Sequence, residues 1–123
     1  MSHTYKQTTG EWFLPDGTLL GTGYAGHGEG VNNHADEGIE NVGPIPVGRY
    51  LIGQAITHPT AGPLTMPLTP LPGTDLHGRS GGFLVHGDTA SRDHGASRGC
   101  IVQEHATRAT IAVSPIRELE VVE

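Results

Sequence analysis

A mostly β fold with one or two short helices is what this sequence predicts, and three observations predict it. Glycine (19 residues) and proline (9 residues) are abundant in a chain of 123, as expected where many turns join short strands. Apolar residues make up 35% and recur in short runs rather than in long amphipathic stretches. No repeat period is visible, which excludes collagen-like and solenoid architectures. The length suits a single domain spanning residues 1–123, large enough to bury a core but without room for a second.

The elements follow in order. Thr4–Leu14 and Thr18–Tyr24 read as two strands joined by Pro15-Asp16-Gly17, a hairpin turn signal. Trp12 and Phe13 are the core residues at its base. Gly26–Gly43 is polar, with Glu29, Asp36, Glu37 and Glu40, and reads as a mobile loop of solvated charge. Its Gly26-His27-Gly28-Glu29-Gly30 run is not a phosphate cradle, because no helix pattern follows it. Asn32 and Asn33 are suited to holding that loop through backbone groups. His27, His34 and Asp36 are too loosely spaced for a metal site.

Gly43-Pro44-Ile45-Pro46 forces an extended lead into Gly48–Ile56, which reads as a central strand. Leu64–Leu71 reads as an edge strand, since its prolines argue against a central position. Gln103–Val113 lacks Gly and Pro, and Ala106, Ala109, Ile111 and Val113 fit a short amphipathic helix ended by Ser114-Pro115. Arg117–Val122 alternates Leu119 and Val121 with Glu118 and Glu120, a half-buried strand.

The chemistry concentrates in Phe83–Ile101. A buried strand, Phe83-Leu84-Val85, delivers His86 and Gly87 at its end. A Gly-, Ser- and Asp-rich stretch then closes on Ser97-Arg98-Gly99-Cys100, and Cys100 is the only cysteine. A thiol attacks only as thiolate, and a neighbouring imidazole that takes its proton lowers the thiol pKa. Cys100 is thus the candidate nucleophile and His86 the candidate base. Gly99 lets the backbone approach a carbonyl, so that the Gly99 and Cys100 amides can face an oxyanion.

The strand-end His86-Gly87 and the Ser97-x-Gly99-Cys100-Ile101 close resemble the active-site signature of L,D-transpeptidases. The nearer resemblance is to the Tlde1 (DUF2778) type VI secretion effectors. It rests also on Tyr24-Ala25-Gly26, Asn32-Asn33 and Gly43-Pro44-Ile45-Pro46-x-Gly48-x-Tyr50, and it runs from about Tyr24 to the C-terminus. Two positions depart from the pattern: Arg98 stands where many L,D-transpeptidases have a second histidine, and His34 where proline often follows Asn-Asn.

The resemblance implies a β-sandwich or barrel-like L,D-transpeptidase-type catalytic domain without a cofactor or metal. It implies L,D-carboxypeptidase or exchange activity on the terminal D-residue of peptidoglycan stem tetrapeptides, through a Cys100 thioester with His86 as base. Arg79, Arg92 and Arg98 are candidates to grip a substrate carboxylate. Ser97 is a candidate for ordering the loop or touching substrate, with Gly87 beside it, and Asp88 for orienting His86 or pairing with Arg98. The implied partners are a peptidoglycan stem peptide, an immunity protein and a secretion-apparatus carrier.

The formal net charge of −6 and the absence of a basic stripe exclude nucleic acid as a partner. No apolar run reaches membrane-spanning length. The N-terminus has no apolar core of a signal peptide. The expectation is a protein made in the cytoplasm, exported by a secretion apparatus and acting in the periplasm of a target bacterium. Two rival readings use the same residues: a Zn²⁺-dependent wall hydrolase built on His86, His94 and Cys100, and a wall-binding β domain without chemistry.

Overall fold

The computed structural model describes residues 1–87 and 99–123. Among these, the chain forms β1 (His3–Lys6), β2 (Glu11–Phe13), β3 (Leu19–Thr22), β4 (Tyr24–Ala25), β5 (Gly48–Ile52), β6 (Ile56–His58), β7 (Gly62–Pro70), β8 (Phe83–His86), β9 (Ile101–Val102), α1 (His105–Ala112) and β10 (Glu118–Val122). The fold is mostly β, as the composition implies.

The strands join in the order β3-β2-β1-β10-β5-β7-β8-β9-β4, with β6 also paired to β7. The two ends of this order, β3 and β4, are separated in sequence by Gly23 alone. The sheet therefore curls back on itself into a nearly closed barrel, which leaves little unprotected edge. β1 pairs in parallel with β10 and β8 with β9, while the remaining pairs are antiparallel. Tyr5, Trp12, Tyr50, Met66, Val85 and Leu119 fill the interior.

The hairpin turn forms at the expected residues: Leu14 N–H donates to Thr18 O and Gly17 N–H to Leu14 O, both at 2.8 Å. The first predicted strand, however, is two. The chain reverses between β1 and β2, with Gly10 at φ +78° and its N–H on Lys6 O. Strand periodicity cannot reveal such a reversal, because both halves keep the same alternation. Trp12 is fully buried, whereas Phe13 points to the opposite face and is only partly covered.

The acidic segment before β5 is better held than its composition predicts. It contains two turns of 3₁₀ helix, Gly28–Gly30 and His34–Asp36. His27 N–H donates to Val42 O at 2.8 Å, closing its base. Asn32 Oδ1 accepts from Ala25 N–H at 3.1 Å, and Asn33 Oδ1 caps the second turn through Ala35 N–H. Local amide-to-backbone bonds thus supply the order that apolar residues do not.

The proline-rich strand β7 is central rather than an edge, flanked by β5 and β8. Extending the β5–β7 register sets Gly53 opposite Pro67. Gly53 N–H donates to Pro67 O at 2.7 Å, but Pro67 has no N–H to return. Arg117 Nη2 takes the Gly53 carbonyl instead, at 2.6 Å. Pro70 aims its missing donor past the end of β8, where no strand pairing is interrupted. A side chain from far along the chain thus relaxes the rule that keeps proline at sheet edges.

β5 is central as expected but stops at Ile52, and Ile56 belongs to β6. The helix is also shorter than expected. It buries Thr107, Arg108 and Ile111, while Val113 lies beyond its end and is 82% exposed. β10 alternates as predicted, with Leu119 and Val121 inward.

Candidate active site

The parallel pair β8–β9 sets the geometry. Val85 lies opposite Ile101 and His86 opposite Val102. Cys100 immediately precedes β9, so the same register sets it beside Leu84, whose N–H donates to Cys100 Sγ at 3.3 Å. Leu84 and His86 alternate onto one side of the sheet. His86 therefore ends one strand and Cys100 leads into its parallel neighbour, about 8 Å apart at Cα by strand rise and spacing. Residues 87–100 connect the two strands, a link of the length parallel pairing demands.

His86 is only 5% exposed, and its Nδ1 lies 2.7 Å from Gly87 O. A carbonyl only accepts, so Nδ1 carries the proton and Nε2 the lone pair. That is the tautomer a general base requires. Its own following peptide fixes that tautomer.

The Cys100 thiol is partly covered, and its surroundings push its pKa up. Burial is the largest cause, and the Leu84 N–H, the Arg79 guanidinium and the cysteine's own amide pull the other way. The expectation of a thiolate lowered at rest is therefore not met among the described residues, where desolvation outweighs the favourable contacts.

Two buried arginines back the site. Arg79, 6% exposed, donates from Nη1 to Glu37 O and Pro44 O, both at 2.8 Å. Its guanidinium lies 5.0 Å above the centre of the Phe83 ring. Arg108, 8% exposed, donates from Nε to Gln103 O at 3.1 Å and from Nη1 to Pro63 O and Leu64 O at 2.9 and 3.1 Å.

Each guanidinium occupies the space of a missing side chain. A Cβ at Gly99 would overlap Arg79 Nη2 and come 3.0 Å from the Phe83 ring, and φ there is +115°. A Cβ at Gly87 would lie 2.8 Å from Arg108 Nη2. The backbone at Gly99, next to Cys100, requires glycine, whereas at Gly87, next to His86, a side chain would press on the Arg108 tip. Arg108 carried no signal in the sequence, because a buried arginine on a short helix reads like any exposed one.

The structure thus brings His86, Gly87, Arg79, Gly99 and Cys100 into one neighbourhood. Asp88, Arg92, His94, Ser97 and Arg98 lie outside the described residues. Among the described residues, no three His, Cys, Asp or Glu side chains gather as a metal site. No helix among them is long and apolar enough to cross a membrane.

A search of curated proteins returns no match for the chain. The family model of the Tlde1 domain, in contrast, matches residues 21–123. That span takes in β4 through β10 and both candidate catalytic residues. Such a match points to a type VI effector, with export to target cells and an immunity partner following from that role. On the strength of a match that covers the barrel from β4 onward, the chain belongs to the Tlde1 effector family.

Proposed function

We propose that residues 1–123 act as one catalytic domain, a cysteine L,D-carboxypeptidase or exchange enzyme acting on peptidoglycan stem tetrapeptides in the periplasm of a target cell. The observation that supports this most is the β8–β9 register, which brings Cys100, at the entry to β9, beside the strand that ends in His86, with the His86 tautomer set by Gly87 O.

In this reading His86 Nε2 accepts the thiol proton as Sγ attacks the carbonyl that precedes the terminal D-residue. Burial raises the thiol pKa, so attack depends on a base, the role given to His86. The amides of Gly99 and Cys100 receive the oxyanion. Collapse breaks the C–N bond, His86 returns its proton to the leaving amine, and a thioester remains on Cys100. Water then releases a shortened stem, or the amine of a free D-amino acid replaces the lost residue. Ser97 and Arg98 are assigned to the substrate's polar and carboxylate groups, with Gly87 and Asp88 at the rim.

Mass spectrometry of tetrapeptide muropeptides incubated with the protein tests substrate, bond and acceptor together. The expected result is loss of one D-residue, or its exchange when excess D-amino acid is added. Cys100→Ala should abolish both, and His86→Gln should cut the rate at least about 100-fold. Full cleavage by Cys100→Ala would overturn the proposal.

A further inference from the structure

We propose that Arg79 is a positioning residue whose buried guanidinium seats the Gly99–Cys100 peptide and so places the Cys100 sulfur. The inference rests on the nucleophilic reading of Cys100 and assigns Arg79 to the wall of the site rather than to a substrate carboxylate.

The geometry carries it. Arg79 gathers four segments at one point: Glu37 O and Pro44 O at its Nη1, the Phe83 ring beneath it, and the Gly99 backbone against Nη2. Phe83 opens β8, the strand that ends in His86, and Gly99 precedes the nucleophile. One planar group therefore references both partners to the same frame. With Nη1 committed to two carbonyls and 6% of the residue exposed, the guanidinium faces protein rather than a ligand.

A cation so placed also acts on charge. Removing a guanidinium from water is costly, and an apolar side chain would fill the same space at lower cost. Its charge opposes part of the desolvation that keeps the thiol protonated. Among the described residues, Glu37 and Glu40 from the segment before β5 and Tyr50 on β5 face Arg79, His34 and His77 stand against Glu37, and Arg108 lies behind Gly87 at the end of β8. Burial lowers the Arg79 pKa and the nearby carboxylates oppose that, but a guanidinium stays charged at ordinary pH, so its pull on the sulfur persists.

The test is the pH profile of Cys100 alkylation by iodoacetamide, which needs no substrate. In folded Arg79→Gln the midpoint should rise by about one pH unit. Arg79→Lys, which keeps the charge but not the planar fork, should raise it by less than half as much. Arg49→Gln, a charge removal at an exposed pair with Glu118, should leave it unchanged. Circular dichroism confirms folding of each variant, and if Arg79→Gln does not fold, Arg79→Lys decides. A wild-type profile in either folded Arg79 variant overturns the proposal. Failure of the catalytic reading looks different: wild-type protein would then leave muropeptides intact while the Arg79 variants still shift the profile.

Discussion

Tyr5 shows what a single side chain can reveal about the pressures on this chain. It is fully buried against Trp12, with ring centroids 6.3 Å apart, and its hydroxyl finds no hydrogen-bond partner among the described residues. Burial pushes the phenol well above its ordinary range. The native state thus keeps this proton while the unfolded chain releases it near pH 10, so stability falls as pH rises through that value. Tyr5→Phe removes an unsatisfied polar group and keeps the ring. It should match or exceed wild-type stability, by up to about 1 kcal/mol near neutral pH. The variant should also lose less stability than wild type between pH 9 and 11, as urea titrations would read. Nothing in the sequence marks Tyr5 as an orphaned hydroxyl; that depends on what the closed barrel places around it.

Among the elements, β7 depends most on a neighbour. Arg117 donates from Nη2 to Gly53 O, from Nη1 to Ile111 O and Ser114 O, and from Nε to Ile52 O, at 2.6, 2.9, 3.2 and 3.3 Å. One guanidinium therefore replaces the proline's missing donor and caps the C-terminus of α1, where a cation also suits the helix dipole. Arg117→Met keeps much of the volume and leaves those carbonyls short of donors. It should cost about 2–4 kcal/mol, read as a lower urea midpoint at unchanged slope. A loss below about 0.5 kcal/mol would mean that water serves the same carbonyls.

Elements whose stability is local were legible in the sequence. The Pro15-Asp16-Gly17 turn, the β8 run ending in His86 and the alternation of β10 all appear where the pattern puts them. The position of β7 was not legible, because it rests on a contact between residues 53 and 117 that no local rule contains. The same holds at the site. His86 and Cys100 announce themselves by residue type and flanking glycines, whereas the packing of Arg79 against Gly99 and of Arg108 against Gly87 joins residues distant in sequence.

Across the whole molecule, His3 ties the start of the chain to its end. Trp12 Nε1–H donates to His3 Nδ1 at 3.1 Å, which leaves Nε2 to carry the proton toward Ile116 O, also at 3.1 Å. Burial chiefly holds this imidazole below its usual pKa, and the charge of Arg117 adds to that, against the Ile116 bond. The unfolded chain then binds a proton near pH 6.5 that the native state refuses, so stability should fall as pH drops below that value. Urea midpoints measured between pH 7.5 and 5.5 should decline in wild type and decline less in His3→Gln. Equal declines in the two proteins would assign the acid sensitivity to other groups.

The parallel pairing of β1 with β10 has a consequence for synthesis. His3 and Leu119 are partners in register, so the earliest of these strands to be made must wait for the latest before it can dock. Until then the hairpin of β2 and β3 is tethered to a partner-seeking edge, and the barrel has a gap between β1 and β5 that only β10 fills. Local contacts can form early in such a chain, but closure comes late and in one step. A ribosome making this domain therefore carries an unfinished barrel until β10 has been synthesised, and the paired β8–β9 site sits in a closed sheet only after that.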